Sequence, residues 1–206
     1  VYVPKYPKKV VKHTKKLSEC IYTPILTEEA FFPNTFIIEM TRGCANRCGF
    51  CLASYLNLPL RSIPFETLKQ VIDLGLQNTN KIALLGAQIS AHPHFHDVCR
   101  YIYDKVQGGQ NIEMSVSSLR VDAITPDVVK TLVATGQKNS TLAIEAGSER
   151  LRKVINKNLT EEQIFNAVKI ARDNGLKGFK FYGMIGIPTE TQEDLEAIVE
   201  LAKRVK

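Results

Sequence analysis

The chain has 206 residues, 44% of them hydrophobic and 23% charged, which excludes wholesale disorder, a collagen helix and a coiled coil. No apolar run reaches the roughly 18 residues that a membrane span needs. The formal charge of +6 is unevenly placed: residues 1–16 hold Lys5, Lys8, Lys9, Lys12, Lys15 and Lys16 and no acid, and without them 21 basic residues face 21 acidic ones. A basic nucleic-acid footprint spread over the fold is therefore not expected.

The chain begins with Val and shows no secretory leader, so it is expected to be a piece of a longer protein. Residues 1–33 read as a basic arm or inter-domain linker, and residues 34–206 as the core. From Phe36 onward, short β-type runs alternate with helical patterns. The first run is Phe36–Met40, and the second is Ile82–Leu85. Between Ile82–Leu85 and Ile112–Val116, the residues Phe95, Val98, Cys99 and Ile102 recur at helical spacing, which makes Cys99 a core thiol. The preceding His92, His94 and His96 are assigned to a loop and cap rather than to a metal. Thr125-Pro126 then offers an N-cap followed by Pro at the first helical position, with Val128, Val129, Leu132 and Val133 as the stripe and Gly136 as the stop.

After the run Thr141–Ile144, Thr160 and Gln163 form a capping box, Ile164, Ala167, Val168 and Ala171 share a face, and Gly175 closes the helix. The last strand is Gly178–Met184. A final helix carries Leu195, Ile198, Val199, Ala202 and Val205. Strands alternating with helices imply βαβ units and a parallel sheet. Five units suggest an α/β fold that is an incomplete parallel barrel, with any ligand site at the carboxyl ends of the strands. No sixth apolar run remains after Met184. The last strand is thus expected to present a free edge, unless the arm or another chain covers it.

Five cysteines, Cys20, Cys44, Cys48, Cys51 and Cys99, are an odd number, and three of them fall in one short loop directly after the first strand. This usage fits a reducing compartment, the cytoplasm, and a metal site better than a disulfide network. Three thiolates on one loop hold three corners of an iron–sulfur cubane and leave one iron open for a small ligand. A structural zinc needs a fourth ligand, and no Cys or His follows nearby to supply one. Cys20 has no partner near it in sequence.

The loop Thr41-Arg42-Gly43-Cys44-Ala45-Asn46-Arg47-Cys48-Gly49-Phe50-Cys51 resembles the cluster loop of the radical S-adenosylmethionine (radical SAM) superfamily, and the resemblance runs over about residues 34–206. It implies a 4Fe–4S cluster on Cys44, Cys48 and Cys51, with S-adenosylmethionine as the second cofactor. Phe50 joins the cofactor contacts as the aromatic before the last cysteine. Gly86, Ala87 and Gln88 stand where the family's Gly-Gly-Glu-like motif meets the methionine amino group. One glycine is missing and the acid is an amide, so backbone carbonyls take the larger share. Ser117, in Ser117-Ser118-Leu119-Arg120, faces the methionine moiety. Glu145, in Ala143-Ile144-Glu145-Ala146-Gly147-Ser148, contacts the ribose, and Lys157 pairs with the methionine carboxylate. Gly183, Ile185 and Gly186, in Gly183-Met184-Ile185-Gly186-Ile187-Pro188, hold the adenine.

The implied activity is reductive cleavage of S-adenosylmethionine to a 5′-deoxyadenosyl radical that abstracts a substrate hydrogen, leading to methyl or methylthio transfer. The cysteine loop, the stretch Glu145–Ser148 and Ile155-Asn156-Lys157 look most like members with an upstream cobalamin-binding domain. Cobalamin would then be held by a domain outside this chain. The arm's Val1-Tyr2-Val3-Pro4 resembles the linker of such proteins. A tRNA or ribosomal-protein methylthiotransferase core is the second resemblance. A reductant such as a flavodoxin or ferredoxin is implied as partner, no membrane partner is expected, and a nucleic-acid partner stays open. The reading from a different class is a metal-stabilised α/β binding module without catalysis.

Overall fold

The computed structural model describes residues 5–6, 11–117 and 119–205, so that residues 1–4, 7–10 (with Lys8 and Lys9), Ser118 and Lys206 lie outside the described residues. In chain order the elements are β1 (Thr35–Glu39), β2 (Thr41–Arg42), α1 (Leu52–Leu56), β3 (Arg61–Ser62), α2 (Phe65–Leu76), β4 (Lys81–Leu85) and α3 (Phe95–Gln107). There follow β5 (Glu113–Val116), α4 (Pro126–Ala134), β6 (Asn139–Glu145), α5 (Glu149–Val154), α6 (Glu161–Asp173), β7 (Gly178–Gly183) and α7 (Gln192–Val205). The five expected strands and their helices are all present. The local signals act as anticipated: the Thr125 side chain accepts from the Val128 amide, and Thr160 and Gln163 close a reciprocal capping box.

Strands β1, β4 and β5 form one parallel ladder and β6 and β7 another. A parallel bridge from Leu119 to Leu142 joins the two, which completes an open arc in the order of the sequence. One face of the arc is packed. Phe36, Ile38, Ile82, Leu84, Met114, Leu142 and Ile144 are buried together with Leu68, Ile72, Val98, Ile102, Val129 and Ile164 from the helices. Each such side chain is worth about 1.5–3 kcal/mol of burial. Cys99 belongs to this core, and burial pushes its thiol up to about 12.

The other face carries mostly small side chains. Ile37, Ala83 and Ser115 stand in register across the first ladder, with Thr141 and Ala143 on β6, and none of these is buried. Parallel sheets normally bury both faces. An open, small-residue face is what a partial barrel leaves for a ligand.

Two features were not legible in the sequence. First, the arm pairs with the sheet. Tyr22 bridges antiparallel to Ile38, with the Thr23 amide on the Ile37 carbonyl at 3.0 Å and the Glu39 amide on the Ile21 carbonyl at 2.9 Å. It thereby covers the edge of β1 rather than that of β7. Second, α7 is rotated relative to the expected stripe: Leu201 is buried, whereas Val199 and Ala202 are exposed.

Among the described residues, β7 has β6 as its only ladder neighbour. An unpaired edge recruits another strand. Sedimentation of this chain is expected to show an average mass rising with concentration, and Tyr182→Lys on the exposed edge strand should lower it. A mass that stays monomeric throughout would show that the edge is not used. No helix among the described residues is long and apolar enough to cross a membrane.

Candidate active site

The cysteine loop leaves β1 through a tight turn. Gly43 has φ +90°, and a Cβ there would lie 2.2 Å from the Asn57 carbonyl oxygen, so only glycine fits. Strands β2 and β3, an antiparallel pair not anticipated from sequence, close the base of the loop by joining Thr41 to Ser62 and Arg42 to Arg61. Arg42 makes a paired contact with Glu39 (2.7 and 2.5 Å) instead of turning toward the thiols. Gly43→Ala is expected to cost about 1–2 kcal/mol for the left-handed backbone alone, with the collision adding to it. A urea midpoint equal to the wild type's would show that the turn can relax.

Cys44 and Cys48 are buried, Cys51 is half-buried, and all three are free thiols. Burial pushes the Cys48 thiol up, Lys157 and then Arg120 pull it down, and Cys44 and Cys51 push it up again. The three sulfurs and the Lys157 ammonium therefore share one electrostatic neighbourhood. Among the described residues, no three His, Cys, Asp or Glu side chains converge as ligands of a single ion do. In a cubane each thiolate holds a different iron, so its ligands stand farther apart. The donor set fits a cluster.

Two distant segments clamp this loop. After β4, Gln88 accepts from Asn46 Nδ2 at 2.7 Å and from Cys44 Sγ at 3.2 Å. Its backbone carbonyl takes the Thr41 hydroxyl at 3.3 Å. Gly86 permits this approach, since a Cβ there would lie 2.3 Å from Thr41 Oγ1. After α5, the Ile155 carbonyl accepts from the Gly49 amide at 2.8 Å, and Asn156 Nδ2 donates to the Arg47 carbonyl at 2.8 Å.

The same α5 terminus delivers Lys157. The Asn156 amide bonds the Lys153 carbonyl (3.0 Å) and the Lys157 amide bonds the Arg152 carbonyl (2.8 Å), with Asn156 at φ +55°. This is a Schellman ending with Asn in the left-handed position. It turns Lys157 inward, where the buried Nζ meets Glu145 Oε1 at 3.1 Å. Glu145 is itself re-aimed. A bulge makes Ile144 and Glu145 oppose Gly183 alone, and Glu145 sits at φ +67°. Bulges and left-handed non-glycine residues of this kind gather at working sites.

A sequence profile of the Radical SAM superfamily matches residues 38–202. The chain belongs to the radical SAM superfamily. It is 37% identical over 188 residues to the uncharacterized protein MJ0966 of Methanocaldococcus jannaschii, covering 90% of this chain and 40% of that protein. It is 26% identical over 180 residues to a tRNA-2-methylthio-N(6)-dimethylallyladenosine synthase of Carboxydothermus hydrogenoformans, covering 82% of this chain and 40% of that one. This chain thus spans about two-fifths of the length of these relatives. Its fold resembles the radical SAM methyltransferase TsrM of Kitasatospora setae, with a TM-score of 0.69 at 17% identity over 82% of this chain and 34% of that one. It also resembles the cobalamin-dependent OxsB, with a TM-score of 0.66 at 15% identity over 80% and 26% of the two chains.

The remaining expected radical SAM positions line the same strand ends. Ser117 follows β5 and is half-buried, whereas Ala87 and Phe50 are exposed. At the end of β7 Gly183 lies against Ile198, and beyond it Ile185 is exposed and Gly186 (φ +83°) donates its amide to Glu190 Oε2 at 2.8 Å. Cys20 stays apart from the loop, its Sγ on the Glu39 carbonyl at 3.4 Å, with burial and then Glu39 pushing its thiol up to about 11. Two of the histidines are held by protein contacts. His92 Nε2 meets the Ile63 carbonyl at 2.7 Å, and His94 Nδ1 meets Asp97 at 2.8 Å.

Sequence reasoning missed three supporting residues. Asn156 was visible as an Asn just past a helix end, the left-handed signature, but not as a clamp. Arg152 is fully buried, with its guanidinium on the carbonyls of Ala146, Gly147 and Leu159 at 2.7–2.8 Å. It thus fixes the chain on either side of Glu145 and Lys157. Asp194 takes the Ser148 hydroxyl at 2.5 Å, an Arg150 contact and the Thr191 amide at 2.9 Å, which hold its carboxyl well below the usual range. That network ties the segment after β7 to the segment after β6.

Proposed function

We propose that this chain is the core of a radical SAM enzyme that binds a 4Fe–4S cluster on Cys44, Cys48 and Cys51 and S-adenosylmethionine across the open face of the arc. The observation that carries the reading is the convergence of the thiol loop with the Glu145–Lys157 pair, joined by the Gly49–Ile155 and Arg47–Asn156 bonds from strand ends about a hundred residues apart. When bound, the two cofactors supply one-electron cleavage of the sulfonium to a 5′-deoxyadenosyl radical, which abstracts a substrate hydrogen. Lys157 gives an ammonium to the methionine carboxylate, and Glu145, released from Lys157, accepts from the ribose hydroxyls.

Gln88, bonded to Asn46 through its side chain and to Thr41 through its backbone carbonyl, fixes the loop, while Gly86 and Ala87 present backbone carbonyls to the amino group. Ser117 faces the methionine moiety, and Gly183, Ile185 and Gly186 offer exposed backbone and one apolar side chain to the adenine. Phe50 flanks the cluster. Residues 1–33 serve as the arm and 34–206 as the core. Five free thiols suit the reducing cytoplasm.

Methyl or methylthio transfer is the downstream chemistry we assign. Likeness to the tRNA methylthiotransferase relatives in sequence supports methylthio transfer. Likeness to TsrM in fold supports methyl transfer, and likeness to the cobalamin-binding TsrM and OxsB supports a cobalamin held by a domain outside this chain. Anaerobic reconstitution followed by reduction in the presence of S-adenosylmethionine tests the common step. Release of 5′-deoxyadenosine and methionine is expected. Stoichiometric zinc without labile sulfide, and no nucleoside release, would favour the binding module instead.

A further inference from the structure

Residues 183–186, read above as the adenine segment, run into a turn that their sequence does not favour. The Glu190 amide bonds the Ile187 carbonyl at 3.0 Å, with Pro188 and Thr189 between them and Thr189 at φ +67°. This is a type II turn, in which proline suits the second position and glycine the third. A β-branched residue with such a φ is an outlier. Thr189 is also exposed, so packing does not hold it there.

Two bonds from α5 do. Arg150 donates from Nη2 to the Thr189 carbonyl at 2.8 Å and from Nη1 to Thr189 Oγ1 at 3.3 Å. The same Nη2 meets Oδ2 of the buried Asp194, which aims the guanidinium at the turn. Asp194 Oδ2 also accepts from the Thr191 amide and hydroxyl, at 2.9 and 3.1 Å, and its Oδ1 accepts from Ser148 Oγ at 2.5 Å. Ser148 in turn caps α5 by taking the Leu151 amide at 3.1 Å. One carboxylate is therefore bonded to the start of the helix that delivers Lys157 and, through Arg150, to the end of the adenine segment. The apolar seam beneath it is modest: Ile187 clusters with Ala146, Leu151 and Ile155, with Met184 packed against them.

We propose that Asp194 and Arg150 are positioning residues for S-adenosylmethionine, which hold Thr189 in its left-handed turn and so fix the adenine segment relative to Glu145 and Lys157. The proposal rests on the cofactor reading above. Four donors already fill the Asp194 carboxylate, so it acts through the turn and not by touching the cofactor. S-adenosylmethionine is long, and its nucleoside and amino-acid ends fall to different strand ends. Both ends bind at once only when those strand ends keep one spacing, and a misplacement of about 1 Å is enough to lose a well-made contact.

The test uses the reconstituted chain. Calorimetry measures S-adenosylmethionine and 5′-deoxyadenosine, and methionine is followed by the shift it causes in the electron paramagnetic resonance of the reduced cluster. D194N and R150Q are compared with wild type; Arg150 is exposed, so R150Q answers the question even where D194N fails to fold. Each variant is expected to weaken both S-adenosylmethionine and 5′-deoxyadenosine about tenfold. Iron content and the methionine response should stay at wild-type values, whereas a general loosening of the fold would move all four readings together. Adding T189G should return the affinity of either variant to within about threefold of wild type, because glycine keeps the turn without help from Arg150. Nucleoside affinity unchanged in R150Q would overturn the proposal. So would a loss that T189G does not restore, or one that iron and the methionine response share. Wild-type protein that takes up iron yet binds neither S-adenosylmethionine nor 5′-deoxyadenosine would remove the cofactor reading, and the positioning role with it.

Discussion

Replacing Cys48 by alanine is expected to abolish the brown chromophore and reduce iron from about four per chain to a trace. Cys48 is the middle thiol and the most tightly surrounded: it is buried, and it feels Cys44, Cys51, Lys157 and Arg120 together. Burial disfavours its free thiolate, so the nearby cations and a bound iron are what keep it ionised. With two thiols left, no neighbouring Cys or His among the described residues replaces the third, because Cys20 is bonded to the Glu39 carbonyl at the end of β1 and Cys99 is in the core. The decisive readout is iron and labile sulfide after anaerobic reconstitution, with the fold checked by circular dichroism. Full iron in Cys48→Ala would show that the cluster is held elsewhere.

Much of the arc was legible because its signals are local. Thr125-Pro126, the Thr160–Gln163 box and the apolar stripe around Cys99 each act within a few residues, and each appears as read. The side of the sheet that α7 covers was not legible in the same way. Its apolar residues Leu195, Ile198, Val199, Ala202 and Val205 wind round the helix together with Leu201, and tertiary contact selects which of them is buried. The pairing of Tyr22 with Ile38 was hidden for a related reason. A single bridge needs no alternating strand pattern, only an unpaired edge and a chain that passes it.

The site divides along the same line. Spacing alone placed three thiols on one loop at a strand end. That Gln88, Ile155 and Asn156 grip this loop is a matter of topology: they lie after other strands, and a parallel arc gathers all strand ends on one rim. Arg152 shows the limit most clearly. An arginine in the first two turns of a short helix reads as solvated, yet three carbonyls turned inward at the rim make a buried site for it.

Lys157→Ala is expected to raise the dissociation constant for S-adenosylmethionine about tenfold to a hundredfold, the loss of one charge-assisted bond worth roughly 1.5–3 kcal/mol. Lys203→Ala should leave it unchanged. The two lysines differ in setting rather than in kind. Lys157 is buried beside Glu145 at 3.1 Å, at the end of a Schellman turn that points it toward the thiol loop. Lys203 pairs with Glu200 at 2.7 Å on the solvated side of α7, where such a pair contributes little. Removing Lys157 also strands the Glu145 carboxylate, so some loss of stability will accompany the loss of affinity. The double variant Lys157→Ala with Glu145→Gln separates the two effects: it should recover stability without recovering affinity. Calorimetry on reconstituted protein, with urea unfolding in parallel, gives both numbers. Equal affinities for Lys157→Ala and Lys203→Ala would mean that the carboxylate is bound by another group, and that the Glu145–Lys157 pair serves only to hold the strand ends together.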